Sequence, residues 1–510
     1  MQETLETAAL LSRLRTRVYL APEGLAITQR HLLSPWEEPR LIPFTQIESA
    51  EAVREGRRWS VTLQLAGERT HLRGLSRADA EWMAGLIREE CEARVRRGDP
   101  IFSQWVPAAQ FPECLARLSA AGDREAASVV DFLLLQAVMH EASDVHFDPF
   151  RQSLRVRYRI DGVLSDVAEL PMRLHARTLA RLKVLAKLSV FRHDVPQEGR
   201  TVVTHDGRNV DLRVSVLPTI HGEKAVLRLF DSSRAIFALS ELGLSEATRA
   251  RYQELIGRPQ GMVLLTGPAN SGKTTTLYST LSHLFEHRRN LSNIVTVEDP
   301  VEYDLQVISQ TQTAPAQGLT FASGLRTVLR QDPEVIMVGE IRDLETAEIA
   351  VRAGLTGHLI LSTAHARSAA GLFARLIEVG VEPFLVASSV TGVMEQRLVR
   401  RICPRCAESY QPSAGLLRRA GFAEAGGVTF RRGAGCEECG ASGFRGRTGI
   451  FSLIAVDDRT RDLVMAKAPT AAIEQANAAQ TPGLLAEGRA KVAAGLTTVE
   501  ELLRVVQTEG

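Results

Sequence analysis

Two groups of residues in this 510-residue chain have the types and spacing to do chemistry. The first is Gly267-Pro268-Ala269-Asn270-Ser271-Gly272-Lys273-Thr274, a G-x-x-x-x-G-K-[ST] pattern followed by Thr275. A glycine-rich turn of this kind aims backbone N–H groups and the positive end of a helix at phosphate oxygens. Lys273 would bring a point charge to the β- and γ-phosphates of ATP, and the Thr274 hydroxyl would ligate Mg2+. The bare pattern also arises as a glycine turn with an unemployed lysine. Here it follows the apolar run GMVLLTG and precedes the helical run TTTLYSTLSHLF, the context that phosphate binding requires.

The second group is Cys403-x-x-Cys406 and, after 29 intervening residues, Cys436-x-x-Cys439. Two such knuckles can close a tetrahedral four-sulfur site, for which Zn2+ is the default metal. Four protein ligands leave no open position, so the site reads as structural. The competing readings are free thiols or a thioredoxin-like redox pair, and no thioredoxin-like pattern accompanies the cysteines. Cys91 and Cys114 read as core residues.

A phosphate site also needs acids for metal and water. EVIMVGE ends in Glu340, with Asp343 just beyond, and VTVEDPVEY offers Glu298, Asp299 and Glu302. Strand C-termini converge on the ligand in open α/β sheets, so one acid could organise Mg2+ and another the attacking water. Taken singly, such acids are loop caps. His358 and His365 bracket the run HLILSTAH. They stand at opposite ends of one strand, so His365 is the candidate for the γ-phosphate and His358 for bracing a loop. Arg213, Arg228, Arg326 and Arg330 are candidates to neutralise γ-phosphate charge in an oligomeric ATPase, although in an arginine-rich chain most are surface residues.

These residues must be positioned by regular elements. The apolar runs at 261–267, 293–300, 334–340 and 358–365 alternate with helical segments, which predicts a parallel or mixed sheet flanked by helices. Before it, residues 123–147 read as a helix and strand, 155–164 as a strand and turn, and 173–188 as a helix. Two more strands surround PTIHGE, completing an α+β domain that ends near Arg234. Residues 240–257 read as a connecting helix, and 384–510 as helical segments carrying the cysteine insert. At the other end, residues 13–75 read as short strands and 76–97 as one helix. Ser76 is its N-cap, with an apolar stripe of Ala80, Met83, Leu86, Ile87 and Cys91. Strands closed by one helix resemble a pleckstrin-homology-like barrel, with a small α+β adaptor as the alternative. All four tryptophans, Trp36, Trp59, Trp82 and Trp105, fall in this stretch and mark it as a separate module. The expected organisation is an N-terminal module at 1–105, a linker at 106–122, an α+β lobe at 123–238, and a P-loop core at 239–400. A four-cysteine element at 401–445 and a helical C-terminal region at 446–510 complete it.

Lys+Arg total 61 and Asp+Glu 60, a formal charge of +1, which argues against a dedicated nucleic-acid coat or polybasic anchor. No apolar run reaches transmembrane length, and the N-terminus lacks the pattern of a secretory signal, so a cytoplasmic location is expected.

From about residue 123 onward the chain resembles the secretion ATPase superfamily, most closely the type II secretion and type IV pilus extension ATPases. The residues that carry the resemblance are ASDVHFDP, RVRYRIDGVL, PQEGR, VSVLPTIHGEKAV, GPANSGKTTTLY, VTVEDPVEY, GLRTVLRQDP, VIMVGEIRD, TGHLILSTAH, QRLVRRICPRC, GCEECGASGFRGRTGI and GLTTVEELLRV. The resemblance implies a RecA-like P-loop core preceded by a mobile α+β lobe, with ATP between the lobes of a homohexamer. VTVEDPVEY matches the family's aspartate box, which implies that Glu298 positions the water. VIMVGE matches Walker B, placing Glu340 near Mg2+, and TGHLILSTAH matches the histidine box, placing His365 at the phosphate. A zinc element at Cys403, Cys406, Cys436 and Cys439 is also a family feature. The implied partners are an inner-membrane platform protein and the cytoplasmic part of a membrane adaptor, which would hold the motor at the membrane; nucleic acid is not expected. The alternatives are a nucleotide-gated scaffold of low turnover and a DNA-translocating motor of the same superfamily. Four departures stand out. Ala269-Asn270 replaces the usual Thr-Gly of the loop, AHAR replaces the usual LHTN, FRHDVPQEGR lacks the paired arginines common before PQ-[DE]-GR, and residues 1–105 do not match the family's usual docking domain.

Overall fold

The computed structural model describes residues 16–506 except 22–23, 30–39, 44–46, 56–57, 66–67, 76, 79, 82, 86, 88–103, 120–124, 207, 232–236, 288–292, 423–426 and 479–481. The chain divides into two units, Met1–Ser233 and Arg234–Gly510.

The first unit is built on a six-stranded antiparallel sheet. From edge to edge its strands are Gln197–His205, Arg208–Thr219, Gly222–Asp231, Asp144–Pro149, Ser153–Ile160 and Val163–Pro171. Alternation along Asp144–Pro149 sets its two faces: Val145 and Phe147 point into the core, while Asp144, His146 and Asp148 point to the other side. The helices Phe111–Ser119, Glu125–Met139 and His175–Leu185 contribute Phe111, Leu115, Val129, Phe132, Leu179 and Leu182 to the same core. Residues 106–119 are therefore not a linker. Phe111, Leu115 and Leu118 form the apolar stripe of a short helix. The buried Gln136 amide accepts from the Val106 N–H at 2.9 Å and donates to the Gln104 carbonyl at 2.7 Å, anchoring the approach to that helix. Cys114 packs half-buried against this core.

The N-terminal module contains two antiparallel meanders. Thr16–Ala21, Gly24–Gln29 and Arg40–Pro43 form one, and Ile47–Glu55, Arg58–Leu65 and Glu68–Leu75 form the other. The described residues between 77 and 87 are helical, and Ala80, Met83 and Ile87 are buried as the expected stripe. Ser76, Leu86 and Cys91 lie outside the described residues, as do Trp36 and Trp82. The module's core of Ile42, Val61, Leu63, Met83 and Ile87 runs directly into Ala180, Val184 and Val190 of the lobe.

The second unit carries a seven-stranded sheet. Its order is Ser309–Gln312, Ile294–Glu298, Val335–Val338, Leu359–Ala364, Gly261–Thr266, Val390–Ile402 and Phe444–Ala455, parallel except for the last pair. Every residue of Gly261–Thr266 is buried, because helices cover both faces; Met262 and Leu264 enter one core, Val263 and Leu265 the other. Two elements differ from expectation. Val390–Ile402 and Phe444–Ala455 are long paired strands, so the region after 445 is not wholly helical. Glu395, Gln396 and Arg397 interrupt the apolar pattern of Val390–Ile402: Glu395 accepts from the Ala369 N–H and pairs with Arg397, and Gln396 accepts from the Thr276 hydroxyl. Four short helices, Asp458–Met465, Thr470–Asn477, Leu484–Ala493 and Val499–Val505, follow.

Candidate phosphate site and cysteine centre

The strand Gly261–Thr266 delivers the loop 267–272 into the helix Lys273–His287 at the C-terminal edge of the parallel sheet. Asn270 has φ 61°. Asparagine is among the few non-glycine residues that enter the left-handed region readily, so it stands in here for glycine. Lys273 Nζ donates to the carbonyls of Gly267 at 2.9 Å and Pro268 at 3.0 Å. Burial pushes the Lys273 ammonium below its ordinary pKa; Glu340 pulls it back up and Arg397 pushes it down, so all three share one electrostatic neighbourhood. Thr274 is exposed, Thr275 half-buried and Ser271 buried.

The strands beside the loop bring two expected residues together. Glu340 follows Val335–Val338 and His365 follows Leu359–Ala364. His365 Nε2 lies 3.9 Å from Glu340 Oε2, with the histidine side chain 61% exposed and the glutamate 15%. Arg342 ion-pairs with Glu340. Thr266 Oγ1 donates to the Ala366 carbonyl at 3.2 Å and accepts from the Ala366 N–H at 3.0 Å, tying the loop after His365 to the end of the phosphate-loop strand.

Glu298 sits at the end of the next strand and is only 3% exposed. Its Oε1 accepts from Thr296 Oγ1 at 2.5 Å and Gln310 Nε2 at 3.0 Å, and its Oε2 accepts from the Tyr278 hydroxyl. Burial and the Glu298 charge push the Tyr278 phenol well above its ordinary pKa, so it remains a donor. Asp343 is a helix cap: its carboxylate accepts from the Thr346 N–H at 2.8 Å and the Thr346 hydroxyl at 3.0 Å. His358 Nδ1 lies 3.2 Å from the Ala353 carbonyl and braces the loop there.

The arginines fall in three settings. Arg213 and Arg228 are directly opposed on adjacent strands of the first unit. Arg213 stacks over the Phe230 ring at 4.3 Å, and Arg228 Nε pairs with Asp144 Oδ1 at 3.1 Å. In the second unit Arg326 pairs with Glu345, and Arg330 is exposed. Sequence reasoning missed Tyr278, Gln310 and Gln396. Their role depends on partners 12 to 120 residues away, which no local spacing displays.

Cys403, Cys406, Cys436 and Cys439 converge, with all four Sγ atoms within 4.8 Å of one another. Measured pairs are 3.8 Å for Cys403–Cys436, 3.9 Å for Cys406–Cys439 and 3.6 Å for Cys436–Cys439. A tetrahedral zinc with Zn–S bonds of about 2.3 Å sets its sulfurs about 3.8 Å apart, so the donor set fits the ion. The Cys406 sulfur also accepts from the Gly435 N–H at 3.3 Å, and the Cys439 sulfur from the N–H groups of Cys436 at 3.2 Å and Gly443 at 3.3 Å, which favours thiolate character. No described helix is long and apolar enough to cross a membrane.

A phosphate-loop motif on the inner strand of a largely parallel sheet places the second unit among the P-loop nucleotide-binding folds. The family model for type II/IV secretion system proteins matches residues 119–504, and the chain belongs to that family. It is 45% identical over 400 residues to the type II secretion system protein E of Pseudomonas aeruginosa, covering 78% of this chain and 79% of that protein. It is 43% identical over 400 residues to the type II secretion system ATPase E of Vibrio cholerae, again covering 78% and 79%. The crystal structure of the Legionella pneumophila ATPase DotB shares the fold, with a TM-score of 0.55 at 19% identity, covering 74% of this chain and 94% of that one.

Proposed function

We propose that this chain is a homohexameric, Mg2+-dependent ATPase. Its hydrolysis cycle moves the α+β lobe against the P-loop core and so drives pilus or pseudopilus assembly. In this reading the motor is cytoplasmic and lies peripherally at the inner membrane, held by a platform protein and the cytoplasmic part of an adaptor. The observation that carries the proposal is the convergence of Glu340, His365 and Lys273 at one edge of the sheet.

The proposed division of labour follows from exposure and partners. Backbone N–H groups of Gly267, Ala269, Asn270, Ser271 and Gly272 face the phosphates, with Pro268, which has no N–H, shaping the turn and Thr275 extending the cradle into the helix. Lys273 leaves its loop carbonyls for the β- and γ-phosphates, and Thr274 holds Mg2+. Glu340, the more open acid, works beside the metal, with His365 at the γ-phosphate. Glu298, fixed by three donors, orients the attacking water. Arg213 and Arg228 supply cations to the transferring phosphoryl group. Cys403, Cys406, Cys436 and Cys439 hold Zn2+ as a structural ion.

The test is ATP hydrolysis by full-length Lys273→Ala and Glu298→Ala. A loss of about 100-fold or more is expected in each; wild-type-like turnover in both would sink the proposal.

A further inference from the structure

The two glycines that open and close the phosphate-loop motif are seated on a single residue. A Cβ at Gly267 (φ 151°) would stand 2.5 Å from the Gln396 carbonyl oxygen, and one at Gly272 (φ 87°) would stand 2.8 Å from Gln396 Nε2. Contacts below 3 Å exclude any side chain at either position without displacing what lies beneath. Gln396 is 2% exposed. Its Oε1 accepts from the Thr276 hydroxyl, in the first turn of the phosphate-loop helix, at 2.9 Å.

Its place in the sheet explains how one residue reaches both ends of the loop. The strands Gly261–Thr266 and Val390–Ile402 run parallel until Thr266 meets Glu395. There the first strand leaves the sheet to become the loop, while the second continues for seven more residues. Gln396 is the first residue past the last paired position, so its backbone and amide occupy the space beneath the loop. On its other side it is registered against Phe451, so the floor is itself held within the sheet.

We propose that Gln396 is a positioning residue for the nucleotide phosphates. It fixes the height of the loop through Gly267 and Gly272 and the rotation of the helix N-terminus through Thr276. The backbone N–H groups then meet phosphate oxygens without prior rearrangement. This rests on the phosphate-loop reading above. A neutral amide suits the position: it accepts from Thr276 and places no negative charge below an anionic ligand.

The experiment is steady-state ATP hydrolysis and thermal melting of full-length Gln396→Leu, Thr276→Val and the double variant, with Lys273→Ala as control. Removing either half of a buried hydrogen bond is expected to raise KM for Mg-ATP about 10-fold, with kcat at saturation within about 3-fold of wild type. The double variant should bind no more weakly than the worse single variant, because both remove the same contact. Unchanged KM in Gln396→Leu, or a fall in kcat alone, overturns the proposal while a dead Lys273→Ala leaves the phosphate-loop reading intact. Should Gln396→Leu fail to fold, Thr276→Val decides by the same criterion. Wild-type activity in Lys273→Ala would overturn the underlying reading itself.

Discussion

The two large sheets put their polar residues in different places. The antiparallel sheet of the first unit has one face packed on helices and one carrying charge, so its ionic residues stand in the middle of strands and answer one another across them. Asp144 meets Arg159 at 3.4 Å and Arg228 at 3.1 Å, and Asp148 meets Arg157 at 2.5 Å and Lys224 at 2.8 Å. The parallel sheet of the second unit is covered on both faces, so polar side chains gather at strand ends. Glu298, Glu340, His365 and the loop 267–272 all stand at that edge. Charge in the first sheet therefore holds structure and stays available at a surface, whereas charge in the second is concentrated where a ligand would end the strands.

The sharpest way to break this contrast is Glu340→Gln. Hydrolysis should fall about 100-fold or more while the melting temperature stays within a few degrees, since Glu340 anchors no core. A large loss of stability with modest loss of turnover would place it with the structural charges. The converse substitution, Asp144→Ala, leaves Arg159 and Arg228 facing each other without an anion. It should cost about 1–2 kcal/mol, read as a lower midpoint in denaturant; an unchanged midpoint would show that the face is not held by its ion pairs.

The pH dependence should follow Asp148. Burial pushes its carboxyl up, but hydrogen bonds from Lys224 and Arg157 outweigh this and hold it below the ordinary value. A depressed folded-state pKa contributes stability above the unfolded value near 4, lost as pH falls through the lower folded value. Wild type should thus lose more stability than Asp148→Asn on going from pH 5 to pH 3, and equal losses in melting scans would contradict the pairing. The smallest effect expected is that of Asn270→Gly, whose KM should stay within about 3-fold of wild type, because Asn270 already adopts the left-handed backbone that glycine would.

The second sheet was largely legible in the sequence because its strands are buried on both faces and read as continuous apolar runs. Its outer members were not. The polar stretch Glu395–Arg397 disguised Val390–Ile402, although QRLVRRI was visible as a motif. Phe444–Ala455 was hidden next to a cysteine knuckle. The loop, the two cysteine pairs and the strand-end acids could be named from local spacing. The enclosure of Glu298 by Tyr278, Thr296 and Gln310 could not, because it depends on how a helix, its own strand and the sheet edge pack. Asp343, named beside the same motif, takes the helix-cap role through Thr346 that a lone acid near a helix start most often has. The stretch 106–119 looked like a connector because its helix is short, and only packing against Val129 and Phe132 shows it to be core.

The merged core that joins Met83 and Ile87 to Val184 and Val190 has a mechanical meaning. A module joined only by a slack connector would move independently of its neighbour. A module sharing apolar packing with the helix His175–Leu185 behaves as an extension of that lobe, so displacement at one is displacement at the other. The N-terminal module, outside the residues 119–504 that the family model matches, thus shares one apolar core with a helix inside them, so a substitution in either half of that core is felt in the other.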